Sequence, residues 1–185
     1  MTISLCSSVL ATPWFDVVAK TVKGRESQGP YYALRMSDYV TVLALTTDHR
    51  VVLVRQYRPA VERETLELPS GHVEPGESPI ECGLRELREE TGYIPGRAES
   101  LGRYLSDTGR HENGIWYVLV RDAVRDASAA VTEADIRCEC VPLRQLPDLM
   151  TEGKLDHALN LAVFAAALRR APELFDQWRA SDGRI

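Results

Sequence analysis

The sequence predicts one α+β domain, built as a mixed α/β/α sandwich. Its 185 residues are 44% hydrophobic and 26% charged, which is enough to bury a single core. Segments typical of strands dominate the first part of the chain, whereas helical segments lie between and after them. No internal repeat or long linker divides the sequence. This order argues against a doubly wound parallel sheet, in which strands and helices alternate regularly.

Alternating or β-branched runs, separated by turn residues, predict the strands in order. These runs cover residues 14–22, 31–36, 39–46, 51–56, 65–69, 98–105, 115–120 and 135–141. A polar turn at 24–30 separates the first two, and the short turn at 48–50 makes 39–46 and 51–56 a hairpin. Residues 71–76 contain two glycines and a proline, so we expect a loop there.

Helical patterns occur in three segments. Residues 78–92 give the clearest helix, because Ser78, Pro79 and Glu81 form a capping-box start and Gly92 is a natural stop. Residues 143–150 predict a short helix interrupted at Pro147. Residues 156–170 predict a helix rich in alanine and leucine, followed by a weaker helical tail.

Composition and charge exclude several classes of protein. The chain has 22 Lys and Arg residues against 27 Asp and Glu, a net charge of −5, and so lacks the basic field that nucleic-acid binding requires. No apolar run reaches transmembrane length, and the first ten residues lack the features of a signal peptide. With no disulfide framework among the four cysteines, we expect a cytoplasmic protein without a membrane partner. Cys138 and Cys140 should share one strand face as small apolar fillers.

The 78–92 helix has an apolar face and an acidic face. Its apolar arc, predicted to face the core, spans roughly 60° and contains Ile80, Leu84, Leu87 and Thr91. Glu86, Glu89 and Glu90 fill a separate arc of about 100°. Their mutual repulsion becomes attraction around a divalent cation, and oxygen ligands favour Mg²⁺ or Mn²⁺. The ordinary alternative is a solvated acidic face paired with arginines.

A longer spacing pattern surrounds these carboxylates. Gly71 is followed after five residues by Glu77 and after seven more by Arg-Glu-Leu-Arg-Glu-Glu-Thr-Gly at 85–92. This pattern resembles the Nudix box, with Tyr93 as the one departure from the usual aliphatic residue. The resemblance implies a Nudix fold in which a loop, a helix and a second loop hold metal ions on a diphosphate.

Roles follow from this resemblance, residue by residue. Glu86, Glu89 and Glu90 correspond to the metal ligands, and the carbonyl of Ser70 to a further ligand. Arg85 corresponds to the residue that orients a box glutamate, and Glu77 to the brace of the loop.

Flanking segments resemble the ADP-ribose pyrophosphatase branch of the family. These are Gln56-Tyr57-Arg58, Glu67-Leu68-Pro69-Ser70-Gly71 and the late acidic loop at 133–137. The resemblance, from about residue 39 to 168, implies Mg²⁺-dependent (Mn²⁺ being possible) hydrolysis of a nucleoside diphosphate sugar, most simply ADP-ribose to AMP and ribose 5-phosphate. Glu133 is the first choice for the residue that activates water. Asp135, Glu112 and Glu89 are alternatives.

The remaining expectations concern the substrate-binding residues and the oligomeric state. Arg58, Glu67, Arg110 and Trp14 are the candidate substrate-binding residues. Residues 106–113 replace the Pro-rich segment that is common in the branch, so another sugar nucleotide such as GDP-mannose is an alternative substrate. A non-catalytic ligand sensor is the alternative of a different class. We expect residues 1–37 to form an N-terminal strand arm that mediates homodimerisation, and residues 38–185 to form the Nudix domain.

Overall fold

A computed structural model describes residues 1–129, 135–176 and 178 of the protein. The strands in this part of the chain are β1 (Ile3–Ala11), β2 (Asp16–Val22), β3 (Tyr31–Arg35), β4 (Tyr39–Thr46), β5 (Arg50–Arg58), β6 (Arg63–Glu67), β7 (Ser70–His72), β8 (Tyr93–Ile94), β9 (Arg97–Leu105), β10 (Gly114–Arg125) and β11 (Arg137–Pro142). The α-helices are α1 (Pro79–Thr91), α2 (Leu146–Thr151) and α3 (Ala158–Arg170). Short 3-10 turns occupy Glu26–Gln28, Leu143–Gln145 and Pro172–Phe175.

An eight-stranded mixed sheet forms the centre of the fold. Its main path runs β11-β5-β4-β10-β8, while β6 pairs with β5, β7 with β4 and β9 with β10. Strands β4 and β10 are parallel, and the other pairs are antiparallel. The predicted hairpin of β4 and β5 is present, with Leu45 opposite Val51.

Both faces of this sheet are covered, which explains why β4 is apolar at nearly every position. Val40, Val42 and Ala44 pack in a cluster that includes Leu87 of α1. Leu43 and Leu45 point to the opposite face, where the cluster includes residues of α3. Alternate residues of a strand face opposite sides, so a strand buried on both sides needs continuous hydrophobicity. The predicted α+β sandwich is confirmed.

A separate three-stranded antiparallel sheet, β1-β2-β3, lies at the N-terminus. All nine residues of β1 are exposed. Strand β3 is fastened to the rest of the chain by backbone hydrogen bonds at Leu34. Its N–H donates to the carbonyl of Arg110 at 2.7 Å, and its carbonyl accepts from the N–H of Glu112 at 2.9 Å.

Four local features differ from the sequence prediction. Strand β1 was not predicted, and neither was the two-residue strand β8. The expected loop at 71–76 begins instead inside β7, because Gly71 and His72 pair with β4. Pro147 does not interrupt a helix: it lies in the first turn of α2, where its missing N–H costs nothing.

In the described residues, every helix is too short or too polar to cross a bilayer.

Candidate active site

The start and end of α1 are fixed by its own sequence. The Ser78 hydroxyl accepts from the N–H of Glu81 at 3.3 Å, and the Glu81 carboxylate accepts from the N–H of Ser78 at 2.9 Å. Gly92 ends the helix at a left-handed φ of 72°. The predicted capping box and stop are therefore confirmed, and they set which residues of α1 face the sheet.

Close packing of α1 on the sheet depends on Gly83. A Cβ at this position would lie 3.0 Å from a methyl carbon of Val42. Leu87 and Thr91 are buried as predicted, whereas Ile80 and Leu84 are only half-buried. The core-facing arc is thus rotated from the predicted one, towards Cys82, Gly83 and Glu86.

This rotation buries two of the three acidic side chains. Glu86 is 7% exposed and Glu90 is 3% exposed, while the side chain of Glu89 is 40% exposed. The Glu90 carboxylate accepts from the backbone N–H of Ser70 at 3.1 Å. A Cβ on Gly71 would lie 1.9 Å from the Glu86 Oε1 atom. Backbone atoms of β7 therefore lie against both carboxylates.

Arg85 connects the acidic residues of the site. Its Nε and Nη2 atoms donate to the two oxygens of Glu77 at 2.9 and 3.1 Å. Its Nη1 atom donates to Glu86 at 2.8 Å and to Glu89 at 3.1 Å. The hydrogen bond to Arg85 lowers the pKa of Glu77, and the bond to Glu77 raises the pKa of Arg85. Arg85 therefore contacts both a glutamate of the Nudix-box pattern, Glu86, and the loop residue Glu77.

The donor set fits a hard divalent cation. Within the described residues, no three His, Cys, Asp or Glu side chains already converge as a ready-made metal site. Glu86 and Glu89 nevertheless lie close enough for one cationic atom, Arg85 Nη1, to contact both. All the candidate donors are oxygens, the ligands that Mg²⁺ and Mn²⁺ prefer.

A cleft of about 650 Å³, lined by residues of β4, β5, β6 and β7 among others, is a second feature of the site. Tyr39 links the two features: it lines the cleft, and its hydroxyl lies 2.8 Å from the hydroxyl of Ser70, whose N–H holds Glu90. The volume is within the range of small-molecule sites.

An ion pair of Arg58 and Glu67 forms one wall of the cleft. The Arg58 Nε and Nη2 atoms donate to Glu67 at 3.0 and 2.7 Å, and Thr65 donates to the same carboxylate at 2.6 Å. Glu67 is 3% exposed, and burial opposes its ionisation. The contacts of His157, Arg58 and Thr65 outweigh burial and hold the pKa of Glu67 well below its usual range. Arg58 is thereby fixed in place with a raised pKa.

Comparison with known proteins settles the family. The family described as the NUDIX domain matches residues 37–161. The chain belongs to this family.

Nudix relatives and structures add detail. The chain is 34% identical over 96 residues to the methanol dehydrogenase activator of Bacillus methanolicus, covering 52% of each protein. It is 39% identical over 70 residues to the ADP-ribose pyrophosphatase of Bacillus subtilis (strain 168), covering 38% of each. The matches thus span about half or less of these relatives. A crystal structure of an ADP compounds hydrolase has a TM-score of 0.74 at 21% identity, covering 100% of this chain and 96% of that one, which supports the Nudix fold.

Three histidines, none of them predicted from the sequence to belong to the site, line the cleft of this Nudix domain. They are His72 of β7, His111 of the 106–113 segment and His157 before α3. Burial lowers the pKa of His72, although a bond with Ser37 partly opposes this. The His157 Nδ1 atom lies 3.5 Å from Glu67, without the alignment of a hydrogen bond. No sequence spacing connects them, because each comes from a different element.

Two candidate substrate residues do not line this cleft, although Arg110 lines an adjoining pocket with Asp107 and His111. Trp14 is 77% exposed in the turn between β1 and β2. Arg110 packs over the ring of Tyr31 and donates to its hydroxyl at 2.9 Å. In a single chain, Arg58 and Glu67 are thus brought together, whereas Trp14 and Arg110 belong to the surface of the N-terminal sheet.

The candidate general bases are also separated. Glu133 lies outside the described residues. Asp135 lines a neighbouring depression with Gln56 and Tyr57. Glu112 forms ion pairs with Lys20 at 2.6 Å and Arg35 at 2.9 Å.

Proposed function

We propose that this Nudix domain hydrolyses the diphosphate bond of nucleoside diphosphate sugars in a reaction that needs a divalent metal. ADP-ribose, giving AMP and ribose 5-phosphate, is the proposed preferred substrate. The observation that carries this proposal is the connection of the buried Glu90, through Ser70 and Tyr39, to the cleft that contains Arg58. The name of the Bacillus subtilis relative supports the same substrate class.

The acidic face of α1 is the proposed metal site. Glu86, Glu89, Glu90 and the carbonyl of Ser70 would hold Mg²⁺, or Mn²⁺ in its place. A bound divalent cation would offset diphosphate charge and lower the pKa of a coordinated water. Arg85 would turn Glu86 and Glu89 towards the ion, as its present hydrogen bonds to both indicate.

Arg58 is the proposed phosphate contact, and Glu67 its positioning partner. A carboxylate that already accepts from Arg58 and Thr65 has few lone pairs left for a substrate. The guanidinium, whose side chain is 37% exposed, keeps the positive charge that a diphosphate requires. This assigns to Glu67 a positioning role instead of the direct substrate contact that was expected from the sequence.

The identity of the sugar depends on residues 106–113. Ser106, Asp107, His111 and Asn113 of this segment all line the cleft. The buried Oδ1 atom of Asn113 has no hydrogen-bond partner in the described part of the chain, so it is available to a ligand hydroxyl. A hydroxyl-rich sugar fits such a wall.

A substrate panel tests the proposal. We expect kcat/KM with Mg²⁺ to be higher for ADP-ribose than for GDP-mannose or dGTP, because a two-phosphate substrate fills both ends of the cleft. Glu86→Gln and Glu90→Gln should each lower kcat by orders of magnitude, whereas Glu99→Gln, an exposed carboxylate of β9, should not.

The other possible results of this substrate panel distinguish between the alternative functions. If dGTP is the best substrate, the ADP-ribose assignment fails. If GDP-mannose is best, the chemistry stands and the sugar changes. Thermal stabilisation by ADP-ribose without any hydrolysis would favour the ligand-sensor alternative.

Glu133 is the proposed water-activating residue, and a second variant set tests it. Glu133→Gln should lower kcat more than tenfold with little change in KM. Glu112→Gln is the matched control, since Lys20 and Arg35 already engage that carboxylate. A larger loss in Glu112→Gln, or in Asp135→Asn, would move the assignment to that residue.

A homodimer through the N-terminal arm (residues 1–37) is also proposed. Strand β1 presents Leu5, Val9 and Leu10 to solvent, and Leu5 is 62% exposed. Such apolar exposure is typical of interfaces. In this dimer, Trp14 would reach the cleft of the other subunit.

A further inference from the structure

A cluster of two cysteines and a tyrosine lies outside the site described above. Cys138 and Cys140 are two residues apart on β11, so both side chains project from the same face. Both are half-buried against the cluster of apolar residues beneath α1. The hydroxyl of Tyr93, the residue that departs from the Nudix box, lies 3.2 Å from the sulfur of Cys140.

Two arginines, one on β5 and one on β10, lower the pKa of Cys140 through their charge. Arg50 of β5 donates to the carbonyl of Cys140 at 2.5 Å. Arg125 of β10 lies opposite Tyr93 in the pairing of β10 with β8. On β11 itself, Glu139 points away and is held by Arg55 at 2.5 Å. Within the described residues, the charges that act on Cys140 are those of Arg50 and Arg125, and both are cationic.

These neighbours shift the pKa values of Cys138, Cys140 and Tyr93 in different directions. A hydrogen bond from Cys138, helped by Tyr93 and the charges of Arg50 and Arg125, lowers the pKa of Cys140 to about 6 against the effect of burial. The same hydrogen bond, together with burial, raises the pKa of Cys138. Burial and the bond to Cys140 raise the pKa of Tyr93 to about 12. These shifts favour the thiolate at Cys140 and the protonated forms at Cys138 and Tyr93.

We propose that Cys140 is a modification site, a nucleophilic thiolate that small peroxides oxidise and alkylating agents label. Cys138 and Tyr93 are its hydrogen-bond donors. With hydrogen peroxide, the sulfur attacks one oxygen, the S–O bond forms and the O–O bond breaks. The sulfur loses two electrons and becomes a sulfenic acid, while the other oxygen leaves as hydroxide. The thiolate is the form that reacts in this way.

The strand geometry favours a sulfenic acid over a disulfide with Cys138. Two residues along an extended strand separate the Cα atoms by about 6.7 Å. This is near the upper limit of about 6.8 Å for disulfides, and the parallel Cβ vectors do not converge. Closing the bond would require β11 to leave its pairing with β5, in which Cys140 lies opposite Val52.

Peptide-resolved alkylation of the full-length wild-type chain tests the site. The protein is treated briefly with iodoacetamide between pH 5 and 9, and labelling is measured at each cysteine by mass spectrometry. We expect labelling of Cys140 to rise with a midpoint near pH 6. Cys82 is an internal negative control, because it is fully buried and burial raises its pKa to about 12. A midpoint for Cys140 at pH 8 or above, or preferential labelling of Cys138, would overturn the proposal.

Conservative variants test the donors. Tyr93→Phe and Cys138→Ala should each raise the midpoint of Cys140 by about one pH unit, the equivalent of one hydrogen bond. Cys138→Ser retains a donor and should restore much of the wild-type behaviour. An unchanged midpoint in both donor-free variants would remove Cys138 and Tyr93 from the site.

A peroxide experiment tests the product. Stoichiometric hydrogen peroxide followed by dimedone should label Cys140 in the wild type and leave Cys140→Ser unlabelled at this strand. Recovery of a Cys138–Cys140 disulfide would show that Cys138 reacts with the oxidised sulfur and would contradict its assignment as a donor only. Neither readout depends on Nudix hydrolysis, so this proposal and the proposed function can fail separately.

Discussion

Gly71 shows how one residue sets the position of a proposed metal ligand. The carboxylate of Glu86 fills the space that a side chain at this position would need. The glycine is therefore required for close approach rather than for an unusual backbone angle. Any other residue at this position would have to displace the Glu86 carboxylate.

We predict that Gly71→Ala lowers kcat/KM for ADP-ribose by about 10²-fold, because a displacement of roughly 1 Å at a reacting centre has that effect. Steady-state kinetics with Mg²⁺ measure it. Arg97→Ala is the control, because this exposed side chain of β9 contacts Asp122 only at 4.0 Å and does not line the cleft. Equal activity in the two variants would mean that Glu86 has room to relax.

At the scale of elements, Asp38 joins several strands at one carboxylate. It accepts from Arg103 of β9 at 2.7 and 2.9 Å, and from the N–H of Gly114 and the indole of Trp116 in β10 at 2.7 and 2.8 Å. Its carbonyl accepts from the N–H of Val73 at 2.9 Å, just after β7. Asp38 thus connects β9 and β10 to the strand that cradles the carboxylates of α1.

This arrangement predicts a pH-dependent stability. The hydrogen bond from Arg103 outweighs burial and, with those of Gly114 and Trp116, lowers the pKa of Asp38 from 3.8 to about 2. Because the folded pKa lies below the unfolded one, the contribution is complete above about pH 4 and is lost as the pH falls towards 2. With allowance for solvent screening, it is about 1–2 kcal/mol.

Urea unfolding of Asp38→Asn measures this contribution. The variant should be less stable than the wild type at pH 6, and the difference should narrow below pH 4. Asp122→Asn, at an exposed carboxylate 4.0 Å from Arg97, should match the wild type within about 0.5 kcal/mol at both pH values. A difference for Asp38→Asn that does not change with pH would assign its effect to packing.

Elements with local signals could be predicted from the sequence, whereas contacts between distant elements could not. The bounds of α1 follow from Ser78 and Gly92, which act within a few residues of themselves. The pairing of Arg58 with Glu67 was within reach, since β5 and β6 are neighbours in the chain. The burial of Glu86 was not, because it depends on how far α1 rotates to fit Gly83 against β4. The three cleft histidines have no shared spacing at all.

Across the whole molecule, the exposed apolar surface of β1 is the main feature that a single chain leaves uncovered. We predict that Leu5→Glu converts the proposed dimer to a monomer without loss of fold, because Leu5 is already exposed in the isolated chain. Sedimentation and circular dichroism measure the two quantities. Ser8→Glu adds the same charge to the same exposed strand at a polar position and should stay dimeric. A monomeric wild type would contradict the dimer.

The fastening of β3 to residues 110–112 gives such a dimer a kinetic role. His111 lies in that segment and lines the cleft, so the sheet that would meet a second subunit also supports a wall of the site. Dimerisation would then stabilise the conformation of this wall of the cleft, to an extent that depends on protein concentration. We expect the turnover number per chain to fall when the enzyme is diluted below the dissociation constant of the dimer. It should recover when the enzyme is concentrated again. Leu5→Glu should turn over at one slow rate at every concentration.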